Sequence, residues 1–161
     1  KRYSIILKDN QFSNSDNLYM QEALILANKA YEIDEVPVGA IVVYKNTIVG
    51  RGFNQVINKK DITAHAEILA IKDAAKTLGN YRLLDTTIYS TLEPCHMCAK
   101  AMVDARIKKL IFAAKEPKHG SLVSIDNIFE RIHLNHSVEF KYGLLSEESS
   151  TLLKKFFKSK R

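Results

Sequence analysis

Between residues 16 and 33, apolar side chains at Leu18, Ala23, Leu26, Ala27 and Ala30 return at three- and four-residue intervals. That period lines one face of an α-helix, and Asp16 stands at its start as a cap. The pattern then changes. Residues 39–44 and 48–52 are apolar, β-branched runs with Lys45, Asn46 and Thr47 between them, which predicts a hairpin. Asn54 lies just past its second strand. Helical spacing resumes over 64–78, with Thr63 as N-cap and Gly79 as the stop. A third strand follows at 86–90, and a helix begins at about Cys95, after Pro94. Residues 110–114 and 138–142 predict a fourth and a fifth strand, and a helix over 147–157 closes the chain. One helix, two strands, then helices alternating with strands gives an α/β fold, a sheet covered by helices on its faces.

Composition fits one domain. The 161 residues are 46% hydrophobic and 26% charged, with three prolines and six glycines scattered along the chain and no repeat or linker. Residues 16–161 therefore read as a single domain, preceded by a 1–15 segment that carries no motif. The longest apolar runs, such as 39–43 and 110–114, are far short of the roughly 20 residues that span a bilayer. The apolar stretch at 5–7 is also too short for a secretory signal. No membrane association and a cytoplasmic location are the expectations. The net charge of +6 favours polyanionic partners. It is concentrated at the C-terminus, where Lys154, Lys155, Lys158, Lys160 and Arg161 surround Phe156 and Phe157. Cations interleaved with aromatics suit a phosphate backbone carrying unstacked bases.

The chemistry lies in T-A-H-A-E at 63–67 and T-L-E-P-C-H-M-C at 91–98. Both cysteines fall in one C-x-x-C, too few for the disulfide framework of a secreted domain. A redox dithiol has no use for the upstream His-Ala-Glu or for Glu93 and Pro94. His65, Cys95 and Cys98 instead supply three zinc ligands and leave one position open, the mark of a catalytic rather than a structural zinc. Cys95 and Cys98, three apart, share a helix face. If the two helices start at the edges of neighbouring strands, their first turns meet, and their N-terminal dipoles favour the thiolates that zinc needs. Glu67, two residues after the histidine, reaches the same site only if its helix points at it end-on. Taken singly, His65 and Glu67 would be an ordinary histidine and a solvated helix residue. Together with P-C-x-x-C they form the pairing found in zinc deaminases. Water activated by zinc, with Glu67 carrying protons, gives hydrolytic deamination of a nucleobase. His96 points off the ligand face and takes no metal role, and His119, His133 and His136 lack ligand spacing.

The segments PVGAIVV, GFN, TAHAEILAI, NYRLLDTTIY, TLEPCHMCAKAM, NHSVEF and LLKKFF together resemble the bacterial tRNA-specific adenosine deaminases, within the cytidine deaminase-like superfamily. The resemblance extends over roughly residues 18–157. It implies a three-layer α/β/α sandwich on a mixed five-stranded sheet and a homodimer with one zinc ion per subunit. The implied reaction converts adenosine to inosine at the wobble position of a tRNA anticodon, usually in an arginine tRNA. It also implies His65, Cys95 and Cys98 as ligands, Glu67 as proton shuttle and Asn54 as a contact to the target base. Asn135 and His136 match a pair that touches the anticodon loop, and Phe156 and Phe157 match a terminal aromatic pair near the RNA, although their spacing with Leu152 and Leu153 favours core packing for at least one of them. Lys118 and Arg161 are candidate phosphate contacts. Three positions depart from the pattern: Lys100 replaces a usual glycine, Glu116 a usual aspartate and Ile62 a common proline. The competing readings are a deaminase of free guanine or cytidine, and a zinc-stabilised RNA-binding protein without catalysis.

Overall fold

Ser13 opens the first helix. In the computed structural model, which describes residues 11–131 and 133–160, α1 covers Asn14–Glu32. The Ser13 hydroxyl accepts from Asp16 N–H at 2.9 Å, and the Asp16 carboxylate accepts from Ser13 N–H at 3.0 Å. Asp16 is thus the reciprocal partner in a capping box rather than the cap itself. Leu18 is 61% exposed; the buried stripe is Met20, Ala23, Leu26, Ala27 and Ala30. Residues 1–10 of the predicted leading segment lie outside the described residues.

The hairpin forms strands β1 (Gly39–Tyr44) and β2 (Thr47–Phe53). Its loop is two residues, Lys45 and Asn46, both left-handed with φ of 49° and 61°, the backbone that a tight hairpin requires. Thr47 therefore joins the strand. A short helix not predicted from sequence, α2 (Val56–Lys59), follows. Its first amides and the Asn58 side chain donate to the buried carboxylate of Glu35. Next come α3 (Ala66–Leu78), β3 (Thr86–Leu92), α4 (His96–Asp104) and β4 (Lys109–Ala114). A 3-10 turn at Ile128–Glu130, β5 (Glu139–Tyr142) and α5 (Ser146–Ser159) complete the chain.

The five strands run in the order β2-β1-β3-β4-β5. β1 pairs antiparallel with β2 and β3, whereas β3, β4 and β5 are parallel, so the sheet is mixed as expected. Alternation along the strands divides the core into two layers. Ile41, Val43, Tyr89, Ile111 and Ala113 face α1, together with Met20, Ala23 and Leu26. Ala40, Val42, Ile88, Leu110 and Phe112 face the other way, towards Ala66, Ala70, Ala74, Met102 and Val103 of α3 and α4. α5 lies beside α1 and packs on β3 and β4, completing the three-layer sandwich.

Two glycines set how closely α3 approaches the sheet. A Cβ on Gly50 would overlap the Ala70 carbonyl, and one on Gly52 the Ala66 carbonyl. Glycine here permits close backbone approach, which seats the start of α3 against β2.

Candidate metal centre

His65 and Cys95 are the N-cap residues of α3 and α4, both with extended backbone (φ −75°, ψ 151° and φ −77°, ψ 175°). A capping residue usually satisfies the first helical amides with its own side chain, yet neither does so here. Their side chains turn to each other instead. The Asn54 carboxamide oxygen takes over at α3, accepting from Ala66 N–H at 2.8 Å. Thr63, the cap expected from sequence, bonds back to Asp61 through its hydroxyl and its amide. The two helices follow β2 and β3, which are separated by β1. They nevertheless touch across that strand on one face of the sheet, so the expected neighbouring strands are not required.

His65 Nδ1 lies 3.7 Å from Cys95 Sγ and 3.4 Å from Cys98 Sγ, and the three donor atoms all fall within 4.8 Å of one another. A tetrahedral zinc with bonds of about 2.1 Å to nitrogen and 2.3 Å to sulfur separates such ligands by about 3.6 Å. The donor set, one imidazole and two thiols, is the soft set that suits zinc. The residues therefore fit the ion. As free thiols the cysteines would share a proton: hydrogen bonding from Cys98, opposed by burial and aided by His65, pulls Cys95 down to about 4. The same sharing, with burial, pushes Cys98 up.

Glu67 completes the cluster. It is 4% exposed at the first turn of α3, and the end-on approach of that helix lets residues 65 and 67 converge. Burial, with the Cys95 sulfur nearby, pushes its carboxyl up to about 7, against the pull of His65 and Ser90. A carboxyl titrating near neutrality is suited to taking up and giving back a proton.

Sequence reasoning passed over Glu93 except as part of the motif. It is 2% exposed, and the segment 116–124 hydrogen-bonds around its carboxylate. Its one sequence signal is an acidic residue directly before Pro94 and the C-x-x-C.

The remaining candidates are distributed around the molecule. Lys118 is exposed on the loop that wraps Glu93, and its amide donates to Glu116 Oε1 at 2.8 Å. His136 Nε2–H donates to the Ile107 carbonyl at 2.7 Å. Asn135 lines a cavity of about 210 Å³ with Arg82, Lys100, Asp104, Arg106 and His133. Both therefore lie at the C-terminal end of α4, away from the sulfurs at its start. Phe156 is 5% exposed against Tyr31 of α1, whereas Phe157 presents 49% of its surface. Lys155 lies over Tyr31, and Lys160 pairs with Asp34 at 2.6 Å. Arg161 lies outside the described residues. His96 pairs with Asp126 at 2.8 Å and is absent from the donor group. Lys100 pairs with Asp104 along its own helix.

Residues 13–114 match the family described as the cytidine and deoxycytidylate deaminase zinc-binding region. The tRNA-specific adenosine deaminase of Haemophilus influenzae is 45% identical over 92% of this chain and 87% of its own. A solved structure from a study of A-to-I editing by tRNA:A34 deaminases at the wobble position of transfer RNA is 40% identical. It superposes with a TM-score of 0.82 over 84% of this chain and 99% of its own. A guanine deaminase from Nitrosomonas europaea shares the fold, with a TM-score of 0.73 over 94% of this chain and 86% of its own at 21% identity.

Proposed function

The chain belongs to the tRNA-specific adenosine deaminases, within the cytidine and deoxycytidylate deaminase zinc-binding family, and from that premise we propose that it hydrolyses adenosine to inosine at the wobble position of a tRNA anticodon. The observation that carries the reading is Glu67, a buried carboxyl in the first turn of α3 beside three zinc-competent donors. An arginine tRNA is the proposed substrate, as the family resemblance implies.

His65 Nδ1, Cys95 Sγ and Cys98 Sγ would hold the zinc ion. Zinc in such a site lowers the pKa of water from 15.7 towards about 7 and so makes a nucleophile available at neutral pH. Glu67 takes the proton of that water on a carboxylate oxygen and passes it to the purine ring nitrogen next to the amino-bearing carbon. The oxygen of the deprotonated water bonds to this carbon, Glu67 takes up the remaining hydroxyl proton, and the bond from the carbon to its amino nitrogen breaks. Glu67 delivers a second proton to the departing amine, and water and adenosine have become ammonia and inosine. A carboxyl held beside the reacting atoms can serve in both directions.

Asn54 orients the base. Its oxygen is committed to Ala66 N–H, so its NH₂ is the end left to donate to an acceptor on the purine. Lys118, Asn135, His136, Phe157 and Arg161 are the proposed contacts to the anticodon loop, with Phe156 supporting Phe157 edge-on at a centroid distance of 5.3 Å. The active species in this reading is a homodimer. Exposed Ile62, three residues before His65, and Met97, between Cys95 and Cys98, support a second copy covering that end. None of the described helices is long and apolar enough to cross a membrane, and a cytoplasmic location fits a tRNA substrate.

Replacing Glu67 by alanine tests the assignment. The variant retains zinc and binds an anticodon stem-loop but releases no ammonia from it. Ammonia release at an undiminished rate would overturn the role of Glu67.

A further inference from the structure

The segment between β4 and the 3-10 turn is folded around one side chain. Glu93 Oε1 accepts from Glu116 N–H at 3.0 Å and from the Ser124 hydroxyl. Its Oε2 accepts from the amides of Leu122, Val123 and Ser124 at 3.1, 2.7 and 3.0 Å. Amides converging on one carboxylate make the concave cradle that proteins otherwise offer to external anions; here the chain fills it with its own acid. The neighbouring residue adds to the clamp. The Pro94 carbonyl accepts from both the amide and the hydroxyl of Ser121, at 3.0 and 2.9 Å. Gly120 closes over the carboxylate so tightly that a Cβ there would overlap the Glu93 carboxyl atoms.

The placement of this clamp gives it a consequence beyond stability. Glu93 precedes the ligand Cys95 by two residues, and Pro94 between them has a fixed φ. The loop held on the other side carries Glu116 and Lys118. One buried carboxylate therefore ties the loop bearing Lys118, a proposed RNA contact, to the turn that begins the metal-binding helix. We propose that Glu93 is a positioning residue that sets the 116–124 loop against the Pro94–Cys95 turn, and through that loop governs RNA binding. The inference rests on the tRNA reading above for the ligand and for the contact made through Lys118.

Glu93→Gln tests it. The carboxamide keeps the shape but must place its NH₂ against amide donors; put at the Oε1 position, it displaces only the Glu116 bond, because the Ser124 hydroxyl can turn to accept. The variant is expected to keep one zinc per chain. Its KM for an anticodon stem-loop rises about tenfold while kcat stays within about threefold, the signature of lost binding rather than lost chemistry. Gly120→Ala, which crowds the same carboxylate, shifts KM in the same direction. Amide hydrogen exchange, measured without RNA, reads the clamp independently: Glu116 exchanges about tenfold faster in Glu93→Gln while the amides of α1 stay protected. Unchanged KM, loss of zinc in step with activity, or unchanged exchange at Glu116 would overturn the proposal. If the unmodified protein does not act on the stem-loop, the functional reading fails, and the exchange measurement still decides whether Glu93 holds the loop.

Discussion

The Asn54 side-chain oxygen accepts a hydrogen bond from the Ala66 amide at 2.8 Å, doing for α3 what its N-cap, His65, does not do. This separates two roles that different substitutions can distinguish. Asn54→Ala removes both the cap and the donor, and is expected to cost about 1 kcal/mol of stability along with the activity. Asn54→Asp keeps an acceptor for Ala66 but has no NH₂ for the base. It should melt close to the unmodified protein yet lose most of its ammonia release, as a thermal melt paired with an ammonia assay would register.

Removing the metal should abolish the reaction reversibly. Chelation is expected to stop ammonia release and lower the melting temperature, since a ligand bound only by the folded state stabilises it, and added zinc restores both. Cys98→Ala and His65→Ala, which each remove a donor, should show metal contents well below one zinc per chain by elemental analysis.

Gly52→Ala strikes the seat of α3 rather than its chemistry. The added methyl has no room beneath the Ala66 carbonyl, and such overpacking typically costs about 1–3 kcal/mol. Because His65 sits at the start of the displaced helix, zinc affinity should fall with stability. Denaturant unfolding and a competitive zinc titration read the two effects separately.

Alkaline stability depends on Tyr89. Its hydroxyl donates to Asp16 Oδ1 at 2.6 Å; burial, then this bond and the aspartate charge, hold its pKa above the ordinary value of 10. A folded-state pKa raised in this way contributes stability that is fully present below pH 10 and lost as the pH climbs beyond it. Urea midpoints measured from pH 8 to 11 should fall less steeply for Tyr89→Phe than for the unmodified protein.

Much of this architecture was legible because local patterns carried it. The β-branched runs gave the hairpin, and the three-residue spacing of Cys95 and Cys98 put both sulfurs on one face. Legibility ended where distant segments decide. That Ser13 rather than Asp16 caps α1 follows from a reciprocal bond that either residue could have initiated, and Leu18 fits the helical period while facing solvent. Thr63 has the right chemistry for a cap, but Asp61 captures it, and the cap comes instead from Asn54, twelve residues before Ala66. α2 has no amphipathic length to announce it and exists because Glu35 gathers its amides. The role of Glu93 was hidden for the same reason: its partners lie more than twenty residues downstream, and only the fold brings them to it.

Incubating the zinc-loaded protein with total tRNA and mapping inosine by sequencing reports reaction, substrate and position together. Inosine at the wobble position of an arginine tRNA, absent when Glu67→Ala is used, is the predicted result. Ammonia released from free guanine or cytidine, with no inosine in any tRNA, would contradict it.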